Sequence, residues 1–163
     1  WIMRTYVKDI NADFTCKNCG CFVSARSEVS GVVNRNHCPY CLYSRHVDLF
    51  TAGDRLCACK GLMAPIGLAL KNSRDKYAKR NPGELMLVHC CEHCDRLSIN
   101  RIAADDDTVK ILAVLGNNSE VGPSFLERCW YEGIHPLRES HRTLVQTQLF
   151  GSAALMASHA RAY

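Results

Sequence analysis

Three C-x-x-C knuckles, Cys16-Lys17-Asn18-Cys19, Cys38-Pro39-Tyr40-Cys41 and Cys91-Glu92-His93-Cys94, constrain this chain more than any other feature. Two thiolates three residues apart on a tight turn point the same way and share one tetrahedral ion. Four-cysteine or three-cysteine, one-histidine shells are filled by protein donors, and such sites hold folds together. The chain has eleven cysteines in 163 residues. The odd count and local pairing argue against a secreted disulfide framework and for zinc in a reducing compartment.

Composition sets the remaining bounds. The length suits one domain, or a small domain with an extension. No run of 18 apolar residues occurs, so no membrane span is expected. The first residue is Trp1. A cleaved targeting peptide and a longer natural N-terminus both give such a start. The formal charge of +4 falls to about +1 if one four-thiolate and one three-thiolate zinc site are loaded. Its distribution is uneven. Residues 1–101 hold 15 Lys and Arg against 9 Asp and Glu, and residues 102–163 hold 5 against 7.

Along the chain, residues 14–59 read as short strands punctuated by knuckles. Gly20 follows the first knuckle, where a positive φ is often needed, and Phe22-Val23 with Val32-Val33 reads as a hairpin. Leu62 to Leu70 and Glu84 to Cys90 form a second strand pair joined by a polar, basic tip. The character changes at Asp105-Asp106-Asp107. Val109 to Leu115 is a short strand or helical turn, and Ser124 to Trp130 begins a helix after Pro123. Pro136 to Phe150 is the best helix candidate, with Pro136 in its first turn and Gly151 interrupting it.

The run Arg35-Asn36-His37-Cys38-Pro39, continuing through Tyr40 to Asp48, resembles the signature of the bacterial RNHCP-domain proteins. The resemblance extends through Gly53-Asp54-Arg55, Cys59 to Gly67, His89, Cys91, Cys94 and Asn100-Arg101, and covers about residues 13–107. It implies a small α+β, mainly β, zinc-ribbon-like module with two zinc sites. Residues 1–12 are then an N-terminal arm and residues 108–163 a partly helical C-terminal extension. Two departures stand out: Asp95 where the family usually has Gly, and Cys57, Cys90 and Cys129 outside its pattern.

Cys16, Cys19, Cys38 and Cys41 are expected to form the first zinc site, in the layout of a zinc ribbon. Cys59, Cys91 and Cys94 need a fourth donor from among His46, His89, His37 and Cys57; the family pattern includes His46 and so favours it. An interleaved pairing of the first and third knuckles stays open. Asp48 and Asp54 read as supports for ligand histidines and turn backbone.

No nucleophile elbow, phosphate-binding glycine loop or H-E-x-x-H is present, so no enzyme activity is expected. Basic charge on a metal-stabilised module instead suggests RNA. Arg35, Arg55, Lys71, Arg74, Lys76, Lys79 and Arg80 are candidate phosphate contacts and Tyr77 a stacking residue. The acidic extension would face neighbouring proteins through Leu137, Leu144 and Val145. By analogy with small zinc ribbons in ribonucleoproteins, the expected role is a structural subunit of a ribosome, with the mitochondrial matrix favoured. The alternatives are a free bacterial zinc protein acting as a redox- or metal-responsive regulator, and a protein–protein adaptor.

Overall fold

The computed structural model describes residues 11–71, 83–117 and 122–152. Its elements in chain order are β1 (Phe14–Thr15), β2 (Phe22–Val23), α1 (Ser27–Ser30), β3 (Ser44–Arg45), β4 (Leu62–Lys71), β5 (Glu84–Cys91), β6 (Leu97–Arg101), α2 (Thr108–Asn117), α3 (Pro123–Tyr131), a 3-10 turn (Glu139–His141) and α4 (Arg142–Phe150). The fold is small α+β, with β1 and β2 in one antiparallel ribbon and β3-β4-β5-β6 in one antiparallel sheet.

β1 and β2 flank the first knuckle, with Phe14 opposite Val23. The expected partner of Phe22-Val23 was Val32-Val33; that pairing does not form, because α1 occupies residues 27–30 and closes on Gly31 at φ 70°. The second expected strand pair is present. Met63 faces Cys91 and Lys71 faces Glu84, with a register shift between Pro65 and Gly67. Pro65 has no N–H to give the ladder, which is why a long strand bulges there.

Both faces of the larger sheet are covered. Leu68 and Leu87 on one face pack with Leu42 from the second knuckle and with Ile111, Leu115 and Val145 from α2 and α4. Ala69 and Val88 on the other pack with Leu97, Cys129 and Ile134. The extension therefore shares its core with the zinc-binding part. Asp107 caps α2 by accepting from the N–H groups of Val109 and Lys110 at 3.0 and 3.2 Å.

The helix expected over 136–150 starts later, at Arg142. Pro136 instead bridges to Ala69, and the Leu137 N–H donates to the Leu68 carbonyl at 2.7 Å. The open side of β4 captures this segment before a helix can begin. Gln148 of α4 then fastens the start of β5, accepting from Leu85 N–H at 3.2 Å and donating to the Gly83 carbonyl at 2.9 Å. Among the described residues, no helix is long and apolar enough to cross a membrane.

Candidate metal centres

Each knuckle is built by one repeated backbone device. The N–H of the residue after the second cysteine donates to the carbonyl of the first: Gly20 to Cys16 at 2.9 Å, Leu42 to Cys38 at 2.9 Å and Asp95 to Cys91 at 3.0 Å. The N–H of each first cysteine donates across the turn, to Cys21, Tyr43 and Arg96, each at 2.9 Å. Closing the turn this way requires a left-handed corner, and Gly20, Leu42 and Asp95 sit at φ 74°, 64° and 59°.

The first two knuckles meet. Cys16, Cys19, Cys38 and Cys41 place their sulfurs within 4.8 Å of one another, with Cys16 to Cys41 at 3.5 Å and Cys19 to Cys38 at 3.6 Å. All eleven cysteines are free thiols. A tetrahedral zinc site with bonds of about 2.3 Å has sulfur–sulfur edges of about 3.8 Å, so these separations fit one ion and are far too long for disulfides.

The third knuckle draws donors from two other segments. His46, just after β3, and Cys59, just before β4, join Cys91 and Cys94, again within 4.8 Å of one another. Cys59 lies 3.7 Å from Cys91, and Cys94 lies 3.3 Å from His46 Nδ1. The His46 N–H donates to the Gly61 carbonyl at 2.9 Å, which fixes the ligand's backbone. Gly61 is itself required, since a Cβ there would stand 2.8 Å from the Cys91 sulfur and 3.2 Å from that of Cys59.

Electrostatics suit metal ligation. Burial, then the Arg96 cation, lowers the His46 imidazole below its ordinary value and keeps it in the neutral form that ligates. The backbone N–H of Cys21 leads in holding the Cys19 thiol down, to about 6. Burial pushes Cys38 and Cys41 up. Four adjacent sulfurs can all be anionic only with a cation among them, and a divalent ion supplies that charge. These donor sets match structural zinc shells, with no donor position left over.

The other candidates for the fourth donor lie elsewhere. His89 is fully enclosed, and its Nε2 meets the Leu42 carbonyl at 2.7 Å. His37 Nε2 meets Asp106 at 2.7 Å. Cys57 is buried, and its N–H donates to Val47 at 3.0 Å. Neither Asp48 nor Asp54 holds a ligand imidazole through a hydrogen bond; both organise the 48–56 loop. Asp48 accepts from Asn36, Gly53 N–H and Arg55 N–H at 2.8, 2.9 and 3.1 Å. Asp54 accepts from the N–H groups of Leu49, Phe50, Thr51 and Leu56, and these hold its carboxyl well below the usual range.

Two of the expected RNA contacts, Arg35 and Arg55, are turned into the protein. The Arg35 side chain is 0% exposed and ion-paired with Asp105 at 2.8 Å and Asp106 at 3.4 Å, so it has no surface to offer a phosphate. Arg55 is turned inward to Asp48, at 3.3 Å, and to Asn36. Lys71 is exposed at the end of β4. Arg74, Lys76, Tyr77, Lys79 and Arg80 lie outside the described residues. In the extension, Leu137 and Val145 are buried against the sheet and are not free for a partner protein. Asp106 reads in the sequence only as part of the acidic run where the chain changes character; its burial between Arg35 and His37 is set by tertiary packing.

The chain matches the RNHCP domain over residues 11–112, well over half its length. It belongs to the RNHCP domain family. Both donor sets and all three knuckles fall inside the matched span. No curated protein and no solved structure matches the chain.

Proposed function

We propose that this RNHCP protein is a non-enzymatic, zinc-stabilised structural subunit of a ribonucleoprotein, with a ribosome the first assembly to test. The observation that carries the reading is the four-donor composition of both centres. A metal held by four side chains has no position for water or substrate, so it supplies folding free energy and not Lewis-acid chemistry. The RNA half rests on charge: the excess of Lys and Arg lies in residues 1–101, and Lys71 stands exposed where β4 leads towards the basic tip. A reducing compartment, the mitochondrial matrix or a bacterial cytoplasm, keeps the thiols available to zinc.

Sedimentation of cell extracts tests this. The chain should travel with ribosomal particles at low salt and leave them as salt rises, because phosphate contacts release counterions. Recovery wholly in the ribosome-free fraction at low salt rejects the ribosomal reading. One observation favours the second reading, a redox-responsive zinc protein. Cys21 is exposed, with its sulfur 4.0 Å from the Cys19 carbonyl oxygen. A fifth thiol beside a four-thiolate site is a potential exchange partner.

A further inference from the structure

Two cavities adjoin along β6, the outer strand of the larger sheet. The narrower has a volume of about 220 Å³ and the wider about 450 Å³, and both are lined by Asn36, Ala52, Ile99 and Asn100. Together they form one trough between β6 and the segments around residues 32–36 and 47–52. A strand of five residues such as Leu97–Arg101 is roughly 13 Å from end to end.

Three properties define what the trough takes. The first is charge. Arg45 and Arg96 line the narrow end and Lys71 and Arg101 the wide end, against one lining carboxylate among the described residues, Asp48; at the wide end Glu84, beyond the lining, pairs with the Arg101 Nε at 2.5 Å and leaves the rest of that exposed guanidinium facing outward. Asp48 is already occupied by Asn36, Gly53 and Arg55. The Arg45 guanidinium is held in place, 3.5 Å over the Phe14 ring and donating to the Arg35 carbonyl at 3.3 Å. Its buried Nε has no acceptor among the described residues. Arg45 is thus a fixed positive charge beside the narrow end, and its field favours an anion in the trough.

The second is a stacking surface. Phe50, on the rim of the narrow cavity, is 80% exposed, and its loop is set by the four N–H groups that Asp54 gathers. An exposed aromatic on a braced loop offers a flat face at little ordering cost. The third is the wall of the wide cavity, which sets Val33, Met86 and Ile99 beside the amides of Asn34 and Asn100. Apolar flanks with amide edges suit a planar heterocycle rimmed by donors and acceptors.

We propose that this trough binds single-stranded RNA, about two nucleotides with unstacked bases, one base on Phe50 and one in the wide cavity, with phosphates at Arg96 and Arg101. This deepens the ribonucleoprotein reading and rests on it. Duplex RNA is excluded, since paired bases cannot turn into cavities on a protein surface.

The test is fluorescence anisotropy of zinc-loaded chain with labelled oligouridylate and oligoadenylate at low salt. Phe50→Ala, Arg96→Gln and Arg101→Gln should each weaken binding by about five-fold or more, while Lys110→Gln, at an exposed position of α2 outside the trough's lining, should not. Unlabelled duplex of equal length should compete poorly. Zinc content of each variant shows that it has folded. Oligonucleotide binding that ignores all three variants, or equal competition by duplex, overturns the trough while leaving the ribonucleoprotein reading in place. No binding to any RNA, with no co-sedimentation, overturns both.

Discussion

His89 Nε2 lies 2.7 Å from the carbonyl oxygen of Leu42, so the middle of the larger sheet donates a hydrogen bond to the corner of the second knuckle. Its Nδ1 accepts from the Asn100 amide at 3.0 Å, which fixes the neutral tautomer. Burial, then the nearby His37, holds the imidazole down to about 3. An unfolded histidine titrates near about 6.5. Below that value the unfolded chain takes up a proton that the folded chain refuses, so stability is full above it and falls as pH drops. Between about pH 7.5 and 5.5 this one group should cost about 1.4 kcal/mol. Acid also strips zinc, so His89→Gln is the control. Denaturant titrations at constant zinc occupancy should show a steeper pH dependence in the wild type by that amount; equal slopes refute the assignment.

The knuckle corners separate backbone strain from packing. Leu42 and Asp95 share the left-handed conformation, at φ 64° and 59°. Leu42 is 0% exposed, whereas Asp95 is on the surface. Asp95→Gly relieves strain and loses little, so it should raise stability by up to about 1 kcal/mol. Asp95→Val should lower it by about 1–2 kcal/mol. Leu42→Gly relieves the same strain but empties a core position, and should cost about 3 kcal/mol. Thermal unfolding of the three variants measures the signs directly.

Local chemistry explains what the sequence disclosed. Cysteine spacing reveals the knuckles because the turn that aligns two sulfurs is complete within six residues, and the apolar runs of β4 and β5 reveal their pairing because both are long. The structure departs from local pattern at Val32-Val33 and at Pro136 for a common reason. In each case a non-local partner outbid local pattern: β1 took Phe22-Val23, and the open side of β4 took Leu137. Arg35 and Arg55 look like surface cations in a string of polar residues. Only the fold shows that Asp106, 71 residues away from Arg35, and Asp48 have drawn them inward.

Metal content distinguishes ligands from bystanders. Purified chain should hold about two zinc ions, one per set of four donors. His46→Ala should lose one of them and keep the first centre. Cys38→Ser should abolish the first and unfold the β1–β2 ribbon, whose small cluster of Cys16, Val23 and Cys38 has little else to hold it. Cys21→Ser, Cys57→Ser and Cys129→Ser should keep both ions by elemental analysis. Loss of zinc from any of these three shows that the donor sets have been drawn wrongly.

The Arg35–Asp106–His37 cluster gives the last prediction. Arg35 and Asp106 have fully buried side chains. Asp106 also accepts from the Ala103 N–H at 2.8 Å and from His37 at 2.7 Å, so a single carboxylate ties the second knuckle to the turn before α2. Removing one partner strands the other charge in the interior, and Arg35→Met or Asp106→Asn should each cost about 3–5 kcal/mol. Replacing both removes the buried charges together, and although His37 and the Ala103 N–H lose their acceptor, Arg35→Met with Asp106→Leu should cost less than the sum of the singles. A double-mutant cycle by urea denaturation measures that coupling. Because Arg35 is enclosed, Arg35→Met should leave RNA affinity and its salt dependence unchanged under conditions where the variant stays folded. A flattened salt dependence would return Arg35 to the RNA-contacting surface.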